Sequence, residues 1–194
     1  IAVMLTSPSP NSEAIHSRTI HHRTTPSSAL LKETLLNTGP VTLRSSTLLH
    51  SFSPTRVVHP GSEAEIVRVV RRAASQGLSV RAIGSMHSYA PIFSTKGICI
   101  VLDRYNRLVR VEGNLVTVEA GIKISALNEL LADYGLALPI VGAIDQQTVS
   151  GAILTGTHGG SLHHPSMGGY VHQLRLIRAD GSVLTLTSSQ AHFQ

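Results

Sequence analysis

A glycine-rich stretch constrains the fold more than any other feature of the sequence. Seven glycines occur between residues 142 and 169, interspersed with Ser and Thr, without the period of an amphipathic helix or the alternation of a strand. Turns alone need fewer glycines, and small residues let the backbone approach a flat ligand closely. Residues 146–179 contain no Asp or Glu, so a phosphate could lie against them without repulsion. The alternative is a tightly packed connection that binds nothing.

A second stretch without acidic residues, residues 81–102, contains a strand that runs directly into the turn at residues 83–88. No helix is expected to open there, because Pro91 follows closely. Such a turn can direct several backbone N–H groups at one anion. The turn is not a Rossmann fingerprint, since Gly-x-Gly-x-x-Gly is absent, and the chain has no Gly-Lys-Ser/Thr of a P-loop. An ordinary connecting loop is the alternative.

Short strands outnumber helices in the pattern, which predicts an α+β fold. The first helix begins at the capping box Ser62–Glu65 and ends at Gly77, and the second is capped by Ser125 and ends at Gly135. The predicted strands are 56–59, 78–83, 97–102, 108–111, 115–119, 171–177 and 182–187, the last two pairs as hairpins. Strand 97–102 is almost continuously apolar and is expected to be buried on both faces.

Residues 1–50 differ from the rest in being rich in Ser, Thr, Pro and His. This composition predicts a low-complexity N-terminal segment, a tail or a processed leader, followed by one domain at residues 51–194. The apolar residues 1–5 are too few for the core of a signal peptide. Basic residues outnumber acidic ones before residue 50, so a mitochondrial transit segment is an alternative. The compartment is not determined, but a cytoplasmic or mitochondrion-associated location is favoured over secretion.

Several classes of function are excluded or disfavoured. No run of 18 apolar residues exists, so we expect no transmembrane segment. The single cysteine, Cys99, excludes a disulfide framework and is expected to be a core thiol within an apolar strand. The net charge is +5, but the arginines are dispersed and only 4% of residues are aromatic, so we expect no nucleic acid partner.

A histidine cluster offers a rival function. His158, His163, His164 and His172 lie close together in the sequence, and imidazoles are good zinc ligands. No neighbouring Asp, Glu or Cys completes a familiar spacing, and the adjacent pair 163/164 points in different directions on any regular backbone. We therefore expect no metal.

Taken together, six segments resemble one known family, the FAD-binding domain of the vanillyl-alcohol-oxidase type (PCMH-type). The resemblance covers about residues 52–190, and its specificity lies in the order and separation of the segments. They are Arg56-Val57-Val58-His59-Pro60, Val80 to Ser88, Val116-Thr117-Val118-Glu119-Ala120-Gly121, Tyr134-Gly135-Leu136-Ala137-Leu138, Thr148 to Gly159, and Ala179-Asp180-Gly181-Ser182. Within the family the sequence is most similar to oxidases of L-gulono- and D-arabinono-1,4-lactone and to alditol oxidases.

The resemblance implies a PCMH-type fold of two small α/β subdomains that binds FAD. It implies that a first loop wraps the pyrophosphate with backbone amides and that a second segment lines the rest of the cofactor. The first loop is Ile83, Gly84, Ser85, Met86, His87 and Ser88, and the second segment supplies Thr148, Gly151, Thr155, Gly156, Thr157 and His158. In many family members the histidine matching His87 is bonded covalently to the 8α carbon of the isoalloxazine. Noncovalent binding is the alternative.

The implied activity is oxidation of a CH–OH group in a sugar-1,4-lactone or polyol. The resemblance implies hydride transfer to flavin N5, with O₂ as the acceptor and H₂O₂ as the product. A related FAD-dependent dehydrogenase with a different acceptor and a truncated, non-catalytic flavin-binding remnant are the alternatives.

Two departures from the family pattern matter. Members usually have Gly-x-Gly-His-Ser where this sequence has Gly84-Ser85-Met86-His87-Ser88. A left-handed backbone at Met86 would cost on the order of 1 kcal/mol. Members also continue well past residue 194 into a substrate (cap) domain. We therefore expect a C-terminally incomplete domain without a cap, whose catalytic residues lie elsewhere and which is inactive alone.

Overall fold

The structure is a computed structural model that describes residues 2–6, 18–19 and 41–189. Within these ranges the chain forms eleven strands, three α-helices and one 3₁₀-helix. In chain order they are β1 (Ala2–Thr6), β2 (Arg18–Thr19), β3 (Leu43–Arg44), β4 (Ser51–Phe52), β5 (Arg56–Val58), α1 (Glu63–Ser75), β6 (Val80–Ile83), β7 (Ile98–Val101), β8 (Leu108–Glu112), β9 (Leu115–Glu119), α2 (Ile124–Ala132), α3 (Val149–Leu154), a 3₁₀-helix (Met167–Tyr170), β10 (Val171–Ile177) and β11 (Val183–Thr187). The predicted α+β class is confirmed.

A three-stranded parallel sheet forms the first half of the fold, in the order β5-β7-β6. Its central strand β7 is almost completely buried, as its continuous apolar sequence predicts. Ile100 packs with Ile66 of α1 on one face of the sheet. Cys99 packs with Ile83 and Phe93 on the other face. The strand β6 therefore ends at residue 83 in a fixed position, and the loop that follows starts from a rigid support.

The boundaries of α1 follow the capping rules. Ser62 is the N-cap and accepts a hydrogen bond from the Glu65 N–H at 3.3 Å. The Glu65 carboxylate accepts from the Gly61 N–H at 2.7 Å, one residue earlier than a standard capping box requires. Gly77 has a φ of +63°, which confirms the predicted C-terminal stop.

An antiparallel sheet forms the second half, in the order β11-β10-β1-β9-β8-β2 within the described residues. Both predicted hairpins, β8–β9 and β10–β11, are confirmed. Helices α2 and α3 bury their apolar residues against this sheet in one core. Its fully buried members include Val118, Ile122, Ile124, Leu127, Leu131 and Val149. The core fixes α3 at the boundary between the two sheets.

Two predictions for this half of the chain were wrong. Ser125 does not cap α2, because Lys123 is the N-cap and supplies no side-chain hydrogen bond. The N–H groups of Ile124 and Ser125 instead donate to the carbonyls of Gln147 and Asp145, at 3.0 and 2.9 Å. No helix was predicted within the glycine-rich stretch, but it contains α3. Tertiary packing of Val149 and Ala152, both fully buried, stabilises a helix that propensity alone does not predict.

The first fifty residues contribute strands that their composition did not predict. Strand β1 lies between β9 and β10 and pairs antiparallel with both. The β3–β4 hairpin pairs Leu43 with Phe52 and so crosses the domain boundary expected at residue 50. Composition averaged over fifty residues conceals short runs that can pair. Residues 1, 7–17 and 20–40 of the predicted tail lie outside the described residues. None of the helices in the described ranges is long and apolar enough to span a membrane.

Candidate cofactor site

The structure brings the first loop, residues 83–88, against the start of the second segment, residues 148–158. Gly84 makes the closest contact, because a Cβ added there would lie 2.1 Å from Thr148 Oγ1. The Ser85 hydroxyl donates to the Gln146 carbonyl at 2.5 Å. Two stretches separated by about sixty residues in sequence therefore meet at one surface. Position 84 must be glycine because any side chain there would overlap Thr148.

The first loop presents backbone donors without partners. Among the described residues, the N–H groups of Ser85, Met86, His87 and Ser88 donate no hydrogen bond to the protein. Met86 has a φ of +52°, so the backbone is left-handed at the position where family members usually have glycine. Consecutive N–H groups in a loop with a left-handed residue can form an anion-binding nest. The loop has the donor set that a pyrophosphate requires.

The second segment starts with a well-ordered cap. Thr148 is the N-cap of α3, is buried, and accepts from the Gly151 N–H at 3.3 Å. At the other end of the helix, Thr155 Oγ1 donates to the Gly151 carbonyl at 2.8 Å, and Gly156 turns the chain with a φ of +68°. Thr148 and Gly151 thus lie beside the first loop, whereas Thr155 and Gly156 lie at the far end of α3.

Thr157 and His158 complete the set of predicted site residues. Thr157 Oγ1 donates to Gln147 Oε1 at 3.4 Å, and the His158 ring nitrogen Nδ1 donates to the Gly159 carbonyl at 3.0 Å. Their side chains therefore bond within the glycine-rich region and not to the first loop. His158 is exposed and Thr157 is half-buried.

The His87 imidazole is half-buried, and no hydrogen bond of its ring is found among residues 41–189. A ring nitrogen without a hydrogen-bond partner among the described residues is accessible for bonding. This is the property that a covalent attachment point requires.

The sequence analysis did not identify two residues that lie beside the site. Gln146 accepts from Ser85 through its backbone and from Lys123 Nζ at 3.4 Å through its side chain. Lys123 also pairs across an isolated bridge with Thr148. Neither residue is part of a sequence motif. Both come close to the site through tertiary structure alone. Lys123 brings a positive charge to a region whose sequence is otherwise poor in charge.

The other reactive groups lie in different surroundings. Within the part of the chain that the structure describes, no three His, Cys, Asp or Glu side chains are placed to hold a metal ion. His164 bonds through Nδ1 to the Tyr170 hydroxyl. Cys99 is fully buried, which confirms the predicted core thiol, and burial raises its pKa to about 11. A thiol with that pKa is not a nucleophile at neutral pH.

The residues present fit a pyrophosphate-containing flavin nucleotide. The N–H groups of residues 85–88, which have no partner within the described ranges, supply donors, and the contact of Gly84 with Thr148 places the second segment beside them. The first loop contains no carboxylate to repel a phosphate, and the nearby Asp145 carboxylate accepts from Gln146 Nε2 at 3.0 Å. Backbone donors and low negative charge together are what a bound pyrophosphate needs.

Comparison with known sequences supports this fit. A family model described as an FAD binding domain matches residues 54–187, more than half of the chain. The chain is 39% identical over 137 residues to an L-gulono-1,4-lactone dehydrogenase of Mycobacterium tuberculosis, covering 70% of this chain and 32% of that protein. It is 37% identical over 142 residues to the L-gulonolactone oxidase of Mus musculus, covering 72% and 32%. A D-arabinono-1,4-lactone oxidase of Kluyveromyces lactis is 34% identical over 149 residues, with 74% and 28% covered. The chain thus spans about a third of the length of these relatives.

Solved structures show the same fold. The glucooligosaccharide oxidase of Acremonium strictum, described as carrying a 6-S-cysteinyl, 8α-N1-histidyl FAD, superposes with a TM-score of 0.64 at 24% identity, over 71% of this chain and 30% of that one. Cholesterol oxidase from B. sterolicum superposes with a TM-score of 0.67 at 17% identity, over 77% and 32%. At these identities the likeness concerns the fold alone. With the family match over residues 54–187, it shows that the chain belongs to the PCMH-type FAD-binding domains and has FAD as its cofactor.

Proposed function

We propose that this chain is the flavin-binding part of an oxidoreductase that acts on the CH–OH group of a sugar-1,4-lactone or a related polyol. The observation that carries the proposal is the contact of Gly84 with Thr148. It brings the N–H groups of residues 85–88, which are without partners in the part of the chain that the structure describes, beside the glycine-rich segment. The relatives named as lactone oxidases and dehydrogenases, at 34–39% identity, support the substrate class.

The chain's own residues have three tasks in this function. The N–H groups of residues 85–88 bind the pyrophosphate, and Gly84 lets that loop approach α3. Ser85 holds the loop in place through its 2.5 Å bond to the Gln146 carbonyl. The flavin, when bound, supplies the acceptor for the hydride that the substrate carbon loses. Residues that orient the sugar hydroxyls are expected outside this chain.

His87 is proposed as the covalent attachment point. Its ring is half-buried and has no hydrogen-bond partner among the described residues. A histidyl FAD is named for the Acremonium strictum oxidase of the same fold. An 8α bond would prevent loss of the cofactor, and imidazole nitrogens are suitable nucleophiles for such a bond.

O₂ is the proposed electron acceptor. A dehydrogenase with another acceptor is the second candidate, favoured by the name of the mycobacterial relative, which is 39% identical. The two candidates differ in whether air reoxidises the reduced flavin. A cytoplasmic or mitochondrion-associated location and the absence of a nucleic acid partner also remain proposals, resting on the composition of the chain.

The test is substrate-dependent bleaching of the flavin. Because the chain spans about a third of its relatives, it is joined to the remaining part of the mouse oxidase and loaded with FAD. L-gulono-1,4-lactone, D-arabinono-1,4-lactone and sorbitol are added without oxygen, while the flavin band near about 450 nm is followed. The control is the same fusion with Gly84→Ala, in which FAD binding is impaired.

We expect a lactone to bleach the band and air to restore it with formation of H₂O₂. Bleaching that only an artificial acceptor reverses would identify a dehydrogenase. A fusion that binds FAD but is bleached by none of the three compounds would contradict the assigned substrate class.

A further inference from the structure

A short turn outside the matched family domain lies against the first loop. It is the turn of the β3–β4 hairpin, residues 45–50, whereas the family match begins at residue 54. We name it the hairpin turn. Composition assigned these residues to a tail, and no motif pointed to them. Three of their hydrogen bonds nevertheless reach the first loop or the residue after it.

Three hydrogen bonds join the hairpin turn to the first loop and the residue after it. The Ser46 N–H donates to the Met86 carbonyl at 3.1 Å, and the Ser46 hydroxyl donates to the Ser85 carbonyl. His50 Nε2–H donates to the Tyr89 carbonyl at 2.7 Å. Each bond occupies a carbonyl oxygen, the negative end of a peptide dipole. The N–H groups of residues 85–88 have no hydrogen-bond partner among the described residues.

The hairpin turn is itself well supported. Ser45 is 1% exposed, its N–H donates to the His50 carbonyl at 2.9 Å, and its hydroxyl accepts from the His50 N–H at 3.2 Å. On either side of the turn, Leu43 and Phe52 pack on the cluster of Ile83, Phe93 and Cys99. The turn is therefore attached to the same core that supports β6.

The loop that the turn contacts contains a strained residue. Met86 and Leu48 are the non-glycine residues with positive φ in the described ranges, at +52° and +61°. One lies in the first loop and the other in the hairpin turn. A side chain in this region costs on the order of 1 kcal/mol, so it persists only where the surroundings hold it. The Ser46 N–H bonded to the Met86 carbonyl is one such restraint, and it does not depend on the side chain. The Ser46 hydroxyl bonded to the Ser85 carbonyl and the His50 ring bonded to the Tyr89 carbonyl restrain the backbone on either side of Met86.

We infer that the hairpin turn is a positioning element for the cofactor loop, with Ser46 and His50 as positioning residues that hold Met86 in its left-handed conformation. The turn thereby replaces the conformational freedom that glycine would give at position 86. The inference rests on the proposed function, in that residues 85–88 bind the pyrophosphate of FAD.

The test compares Ser46→Ala/His50→Ala with the unaltered chain, each with Met86 and with Met86→Gly. Thr42→Ala is the matched control, because Thr42 Oγ1 bonds Ser53 Oγ at 3.0 Å on the same hairpin, away from the loop. Three quantities are measured on the 194-residue chain. They are the FAD Kd by titration, the ¹⁵N order parameters of residues 84–89 without FAD, and Tm.

In the Met86 background we expect the double variant to raise the FAD Kd on the order of tenfold, from two lost hydrogen bonds. The order parameters of residues 85–88 should fall from about 0.85 toward about 0.6. With Met86→Gly, the same double variant should raise the Kd by less than about threefold, since glycine adopts positive φ without strain. Thr42→Ala should leave the Kd and the order parameters unchanged.

An unchanged Kd in the double variant would overturn the inference, as would an equal rise in both backgrounds. A fall in Tm with unchanged order parameters would also overturn it, because the hairpin would then be merely structural. If the unaltered chain binds no FAD, the proposed function fails, and the order parameters still show by themselves whether the hairpin turn restrains the loop.

Discussion

At the scale of single residues, the candidate site depends on two positions where the backbone has little choice. Gly84 must lack a side chain because Thr148 is in contact with it, and Met86 adopts a conformation that L-residues rarely adopt. Glycine at position 84 lets the first loop contact Thr148. The strained backbone at Met86 needs hydrogen bonds from the hairpin turn to hold it. Both can be tested by small substitutions that change one atom group at a time.

Gly84→Ala should weaken FAD binding and destabilise the chain by about 1–3 kcal/mol, since overpacking forces the loop away from α3. Adding Thr148→Ala removes the Oγ1 atom 2.1 Å from the new Cβ, so the double variant should lose less than the sum of the single ones. Urea unfolding measures both effects. Gly160→Ala is the control, because nothing lies within 4 Å of a Cβ there. Additive losses at 84 and 148 would contradict the contact.

Met86→Gly should be more stable than Met86→Ala by on the order of 1 kcal/mol, because both lose the same packing and only alanine keeps the strain. The comparison is made by urea unfolding of the two variants. At Ser88, whose φ is not positive, the order should reverse, with alanine the more stable by about 0.5–1 kcal/mol. The same order at both positions would show that the backbone at residue 86 is unstrained.

At the scale of elements, an ion pair connects α1 to the antiparallel sheet. Glu63 in the first turn of α1 accepts from Arg175 of β10 through two nearly parallel hydrogen bonds, at 2.8 and 2.7 Å. The hydrogen bond from Arg175 lowers the pKa of Glu63 below its ordinary value of 4.5. A carboxylate with a lowered pKa stabilises the fold above its unfolded pKa, and the contribution is lost as the pH falls through the folded pKa.

Glu63→Gln should therefore reduce stability by about 1 kcal/mol at pH 7 and leave it almost unchanged near pH 3. The measurement is the free energy of unfolding in urea at the two pH values. Glu129→Gln, an exposed carboxylate on α2, is the control and should have little effect at either pH. A loss from Glu63→Gln that is equal at both pH values would contradict the role of the ionised pair.

Elements with their own sequence signals could be predicted, and elements formed by contact could not. The start of α1 at Ser62, its stop at Gly77 and the buried strand β7 follow from local chemistry. The Ser125 cap failed because carbonyls of residues 145 and 147 satisfy the first amides of α2, a contact invisible in sequence. The first loop was located by its motif, whereas the hairpin turn had no signal, since one serine and one histidine act there only through tertiary contact.

At the scale of the whole molecule, Cys99 reports on the integrity of the fold. It is the single cysteine of the chain, lies in the central strand of the parallel sheet and has no exposed surface. Burial raises its pKa to about 11, so a thiol reagent at pH 8 should react only after the sheet opens. The reaction should be fast in urea and slow in the native chain.

FAD at about 100 times its Kd should slow Cys99 labelling on the order of 100-fold, because the cofactor binds the folded chain and not the open one. AMP at the same concentration, which lacks the pyrophosphate, is the control and should slow it little. A labelling rate that FAD leaves unchanged would mean that the cofactor does not stabilise the fold containing β7.

The visible spectrum of the purified chain shows whether residues 83–88 and 148–158 together hold FAD. The chain is incubated with FAD, passed through a desalting column and then precipitated with acid, alongside His87→Ala and Gly84→Ala. We predict flavin bands near about 375 and 450 nm in the unaltered chain, with colour remaining in the acid pellet. His87→Ala should release its colour to the supernatant, and Gly84→Ala should retain little flavin. An unaltered chain that emerges colourless after incubation with FAD would contradict an FAD site at residues 83–88 and 148–158.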